Sequence, residues 1–246
     1  TTAHNMGLQG WGVLDNFNYA NENGISISTL NMLSSTTARQ TLVQNVTDTA
    51  VSLGLDGINV DFEKISKDCG VHYIQFIREL SVKCRQNGIV LSVDNYVPKG
   101  YNQQYNRKEQ GVMADYVIIM GYDEHNGSSL EAGSVSSYEF VKEGIEETIK
   151  EVPAEKVING IPFFTRLWSE TPKTQEELNQ EAGTEAADYP MKVTSEALGM
   201  STARDKISQA GAETTLDETT GNNYATWEAD GVTYEIWLED ATSIEP

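Results

Sequence analysis

In the stretch DGINVDFE, three acids, Asp56, Asp61 and Glu63, and the amide Asn59 interrupt an otherwise apolar run. Carboxylates are costly to bury, so several of them in a hydrophobic strand point to acid–base chemistry at a site rather than to ordinary core. Residues two apart in an extended chain share a face. Asn59, Asp61 and Glu63 therefore fall on one side, and Ile58, Val60 and Phe62 on the other. A deeper acid supporting a terminal acid is a geometry for proton transfer to a bound substrate. Capping of the following helix accounts for one carboxylate and leaves three polar residues of one parity unexplained.

The elements that must hold this strand alternate. A strand-like run at residues 10–17 precedes a helical pattern at 38–53, with Leu42, Val46, Ala50 and Leu53 on one face. After the acidic strand, Tyr73, Ile77, Leu80 and Cys84 mark a second helix, which stops near Asn87 and Gly88. Strands follow at 89–97, 114–124 and 156–164, with a helix at 138–151 built on Val141, Ile145 and Ile149. Apolar strands alternating with amphipathic helices predict a parallel sheet covered by helices. Beyond Trp168 the texture changes. Residues 173–221 read as polar and irregular, with a weak helix at 201–210, before a hairpin joining 224–227 to 232–238 at Ala229-Asp230-Gly231. The expected division is a barrel core at 1–168, a small α+β insertion at 169–237 and a return toward the barrel at 238–246.

With 246 residues, 39% of them hydrophobic, the chain suffices for one large domain, or one domain with an insertion. Seventeen basic against 37 acidic residues give a net charge of −20, which argues against nucleic acid and anionic membranes as partners. No apolar run is long enough to span a membrane and no leader pattern opens the chain, so membrane insertion is not expected and any export signal would lie elsewhere. Two cysteines, Cys69 and Cys84, provide neither a disulfide framework nor metal-ligand spacing. No metal or cofactor is expected, and Cys84 reads as a buried thiol.

Asp56-Gly57-x-Asn59-x-Asp61-x-Glu63 resembles the DGxDxDxE signature of family 18 glycoside hydrolases, the chitinase-like TIM barrels. Met120-Gly121-Tyr122-Asp123 resembles that family's M-x-Y-D motif, and GIPFF its next strand. Asn59, the YDEH continuation and the late EIWLED are most similar to the branch containing spore-cortex peptidoglycan hydrolases. The resemblance implies an α/β fold, a (β/α)8 TIM barrel trimmed at both ends and carrying a small α+β insertion. In such a barrel the strand's carboxyl end opens on the active-site mouth.

The resemblance also implies roles. Glu63 is the general acid, then the base, and must carry a proton at the start of the cycle. Asp61 accepts the N–H of the substrate's acetamido group and offsets positive charge at the anomeric carbon. Tyr122 holds the acetamido oxygen, Asp123 binds the sugar at the cleavage site, and Met120 contributes to the floor. Asn59 stands where an Asp is commoner. Its amide can donate to Asp61 and keep it ionised, which predicts a flatter acidic limb in the pH–rate profile than an Asp would give. Asn16, Asn95 and Tyr96 lie near strand ends and are groove candidates. Trp168 and Trp237 are candidates for stacking on sugar rings, and His125 for a supporting role.

The function implied is a retaining hydrolase of β-linked N-acetylglucosamine-containing glycans, peptidoglycan cortex fragments ahead of chitin. The alternatives are a non-catalytic glycan-binding lectin on the same scaffold and an endo-N-acetylglucosaminidase acting on N-glycans. The partner is then an N-acetylated polysaccharide or oligosaccharide, the chain a monomer, and the location extracytoplasmic, in secretions, the cell wall or the spore.

Overall fold

The computed structural model describes residues 2–17 and 28–244. They divide into two compact units, Thr1–Met120 with Gly144–Asn159, and Gly121–Glu143 with Gly160–Pro246.

The first unit alternates helix and strand: α1 (Thr2–Asn5), β1 (Trp11–Asp15), α2 (Thr29–Ser34), α3 (Thr36–Leu53), β2 (Gly57–Asp61), α4 (Gly70–Asn87), β3 (Val90–Tyr96), α5 (Arg107–Met113), β4 (Tyr116–Met120), then α6 (Tyr138–Ile149) and β5 (Val157–Gly160), each of which reaches across the division. The sheet order is β1-β2-β3-β4-β5, and the first three pairings are parallel. Consecutive strands lying side by side with helices between them are the covered parallel sheet that the periodicities predict, and they form the wind of a TIM barrel, as the resemblance implies. On the helix side of β2, Ile58, Val60 and Phe62 are buried against α4. Phe62 stacks on Phe76 with ring centroids 5.4 Å apart. The expected α4 face, Tyr73, Ile77, Leu80 and Cys84, is buried throughout, and Gly88, at φ 67°, ends the helix in the left-handed region.

Two helix faces differ from expectation. On α3 the buried line is Arg39, Val43, Thr47 and Ala50, while Leu42 and Val46 are half-buried and Leu53 is exposed. The rotation follows from Arg39, which donates to Glu79 on α4 at 2.9 Å and to the Leu33 carbonyl at 2.7 Å, so the contact line runs through a polar residue. On α6 small or polar residues, Gly144 and Thr148, are buried and Ile149 is exposed. Gly144 lies against Val97, where an added Cβ would come within 3.0 Å.

The expected strand 156–164 is two strands, because Pro162 lacks the N–H that a continuous ladder needs. The strands of the second unit begin with β6 (Phe164–Pro172), followed by α7 (Gln175–Gln180), β7 (Met191–Gly199), α8 (Met200–Ala210), β8 (Thr215–Asp217), β9 (Asn222–Ala229), β10 (Val232–Leu238) and α9 (Ala241–Ile244). Its sheet has the order β7-β6-β10-β9-β8, and every pairing is antiparallel. One face packs Leu167, Ala225 and Ile236 on Ala203 and Ile207 of α8. The hairpin forms where expected, with Asp230 and Gly231 at φ 52° and 76° between the paired Ala229 and Val232, the backbone that a two-residue turn demands. Strand β7 was expected to be irregular: its Lys, Thr, Ser and Glu dilute the apolar signal, yet it pairs with β6 along nine residues.

Candidate active site

The polar face of β2 turns to the side opposite the core, as its parity predicts. Asn59, Asp61 and Glu63 are each half-buried. Two residues past the end of the strand, Glu63 is fixed by its backbone: its N–H donates to Asn16 Oδ1 at 2.8 Å and its carbonyl accepts from Asn16 Nδ2 at 2.9 Å. Lys64 then adopts φ 52°, a left-handed conformation uncommon outside glycine and concentrated at functional sites. The side chain is held as well, since the Tyr96 hydroxyl donates to Glu63 Oε2 at 2.5 Å. Tyr96 ends β3, and its carbonyl accepts from the buried Arg107 at 3.1 Å. Burial, the bond to Glu63 and the charge of Glu63 push the Tyr96 phenol well above its usual range, so it remains a donor.

Behind Glu63, one carboxylate oxygen of Asp61, Oδ1, is buried with no hydrogen-bond partner. Burial, together with the charges of Glu63 and Asp15, raises the Asp61 carboxyl above its ordinary value. Asn59 gives it no help. The Asn59 amide donates instead to Ser92 Oγ at 2.9 Å and to Asp94 Oδ1 at 2.8 Å, which occupies both of its hydrogens. The expected Asn59–Asp61 bond is therefore replaced by a bridge from β2 to β3. Burial pushes Asp94 up to about 6, with Asn59 opposing and the charges of Asp61 and Glu63 adding to the rise.

Met120 shares this unit, in register with Tyr96. Asn95 does not face the acids. It lies on the other side of β3, fully buried in a reciprocal amide pair with Gln110 at 2.7 and 3.0 Å, so it cannot line a groove. Trp168 is likewise unavailable for stacking on a sugar. It is buried in the second unit and donates to the Gly133 carbonyl at 2.8 Å. Trp237 packs at 4.7 Å on Tyr224 and donates to Asp217. Tyr122 and Asp123 belong to the second unit, the former edge-on to Phe164 and the latter in the left-handed region at φ 60°. His125 also lies there, with Nδ1 2.9 Å from the Ser134 carbonyl oxygen. Asp94 escaped sequence reading, although the parity applied to β2 would have placed Ser92, Asp94 and Tyr96 together on β3. Among the described residues no cluster of three potential metal ligands occurs, and no helix is long and apolar enough to cross a membrane.

Comparison with known proteins gives a consistent picture. Residues 24–245 match the family described as Glycosyl hydrolases family 18. A Bacillus subtilis (strain 168) protein provisionally named sporulation-specific glycosylase YdhD is 31% identical over 141 residues, 56% of this chain and 33% of that protein. The cortical fragment-lytic enzyme of Bacillus anthracis is 24% identical over 223 residues, covering 87% of this chain and 47% of the enzyme. The crystal structure of a chitinase from Chromobacterium violaceum ATCC 12472 superposes with a TM-score of 0.80 at 23% identity, over 98% of this chain and 71% of that one. The matches span between a third and half of the length of these curated relatives.

Proposed function

The chain belongs to family 18 of the glycosyl hydrolases, and from that premise we propose that it cleaves β-linked N-acetylglucosamine-containing glycans with retention of configuration. The nucleophile is the substrate's own acetamido oxygen, the route by which this family departs from the two-carboxylate rule of glycosidases. Cortex-type peptidoglycan fragments stand ahead of chitin, a preference supported by the cortical fragment-lytic enzyme among its relatives.

The observation that carries this reading is the placement of half-buried Asp61 on the same strand face as half-buried Glu63. A half-buried carboxylate on that face accepts an amide N–H in surroundings where the charge acts more strongly than in water. Bound there, the acetamido group turns its carbonyl oxygen toward the anomeric carbon. That oxygen attacks as the glycosidic bond breaks, and Glu63 gives its proton to the leaving oxygen. The resulting oxazolinium cation is offset by the Asp61 charge. Glu63, now ionised, takes a proton from water as the water oxygen attacks the same carbon and restores the acetamide. Tyr96 bonds to Oε2, which leaves Oε1 to carry the travelling proton. By family resemblance Tyr122 holds the acetamido oxygen, Asp123 binds the sugar and Met120 lies beneath it. We take the chain to act as a monomer, in the extracytoplasmic setting to which the substrate class points.

Incubation with muropeptide fragments and with chito-oligosaccharides, read by mass spectrometry, tests this function. Fragments cut beside N-acetylglucosamine by the wild type and not by Glu63→Gln are expected. Binding without cleavage of either glycan would favour the lectin instead.

A further inference from the structure

A third carboxyl stands behind the pair that carries the proposed chemistry. Asp94 lies on β3 one step beyond the Val60–Val93 pair, on the polar side of the sheet, and accepts from Asn59 at 2.8 Å. Among the described residues, the groups near it offer it no compensating positive charge. Asp61 and Glu63 of the acidic strand face it, and Tyr73 of α4, packed on Phe62 at the helix side with no hydrogen-bond partner for its buried hydroxyl, lies within reach of its charge. On β4 its register partner is Ile118, and on β1 Asp15 adds its charge to Asp61. A serine or an apolar residue would complete the strand at far lower cost than a carboxyl among carboxyls. Such an arrangement is expected where the charge has a task.

We propose that Asp94 is a positioning residue that acts through Asn59: when ionised, it adds a second fixed negative charge behind Asp61 for the cationic stage of the reaction. The assignment rests on the hydrolase reading above. Asp94 touches no reacting atom, and its proton exchanges with solvent. The added charge lies in a partly desolvated site, where Coulomb interactions reach further than in water. Activity should therefore rise as Asp94 loses its proton, giving an acidic limb near pH 6.

The test pairs a titration with kinetics. Aspartate carboxyl carbons labelled with 13C are followed by NMR from pH 4 to 8, with Asp94→Asn used to assign the signal. The pH dependence of kcat on a chito-oligosaccharide is then measured for the wild type, Asp94→Asn and the exchanged pair Asn59→Asp with Asp94→Asn. The Asp94 carboxyl is expected to titrate near 6, and the wild-type limb to share that midpoint. Asp94→Asn should lose about tenfold in kcat at pH 7 together with the limb, and the exchanged pair should recover to within about threefold of wild type. A purely structural Asp94 would leave the limb in place in Asp94→Asn.

An Asp94 signal titrating below about 4.5, the ordinary carboxylate range, would overturn the inference, as would an Asp94→Asn enzyme that keeps the wild-type rate and limb. If the exchanged pair does not fold, the titration and the single variant decide alone. A wild-type protein that cleaves neither glycan would bring down the hydrolase reading, and this role with it. An active enzyme whose Asp94 is already ionised at pH 5 would bring down the role alone.

Discussion

The Tyr96 hydroxyl donates to Glu63 Oε2 across 2.5 Å, so the phenol that ends one strand holds the acid just beyond the end of its neighbour. Arg107 fixes the Tyr96 carbonyl and Asn16 fixes the Glu63 backbone, which leaves the pair little freedom to part. Positioning of this kind acts on the chemical step rather than on substrate binding. Tyr96→Phe is predicted to lower kcat about tenfold with KM within about twofold of wild type. Steady-state kinetics on one oligosaccharide decides it, and a change confined to KM would move Tyr96 from the acid to the sugar.

Asp94 should cost the fold stability at neutral pH. Its folded pKa, about 6, lies above the unfolded value of about 3.9. The native state therefore holds the extra proton between those values, and the stability associated with it is complete below about pH 4 and lost as pH rises through about 6. Asp94→Asn is predicted to be more stable than wild type by about 2–3 kcal/mol at pH 7.5, with the difference vanishing toward pH 4. Urea titrations at both pH values measure this. Equal stabilities at pH 7.5 would show that the carboxyl bears no burial strain.

The same sign applies to Glu239 in the second unit. Burial pushes it up to about 7, against hydrogen bonds from Ser243, Asn222 and Ser134. Its stabilising proton is lost as pH rises toward about 7, so Glu239→Gln should stabilise the protein above that pH by about 2 kcal/mol and leave it unchanged near pH 4. A melting temperature that falls at pH 8 would instead make the ionised form part of the network.

Much of this arrangement was legible in the sequence, for reasons that also explain the failures. Parity alone put Asn59, Asp61 and Glu63 opposite Ile58, Val60 and Phe62, because a strand allows only two faces. The spacing of Tyr73, Ile77, Leu80 and Cys84 was equally explicit, since that helix is buried by ordinary apolar residues. Where a polar group makes the tertiary contact, the same reasoning fails: Arg39 turns α3, and Thr148 with Gly144 sets the buried side of α6. Asn95 and Trp168 have side chains suited to binding sugar, yet local partners, Gln110 and the Gly133 carbonyl, already occupy them. Asn59 shows a further limit, because which of several acceptors an amide chooses depends on the neighbouring strand, here Ser92 and Asp94, and not on its own.

In the proposed reaction the substrate's acetamido group, received by Asp61, does the work of a nucleophile. The most direct measurement follows hydrolysis of an N-acetylglucosamine tetramer and of its fully de-N-acetylated counterpart by 1H NMR, recording the anomeric form of the first product. Cleavage of the acetylated tetramer alone, with the β-anomer appearing first, is the predicted result. Cleavage of the de-N-acetylated tetramer at a comparable rate, or an α-anomer formed first, would contradict it.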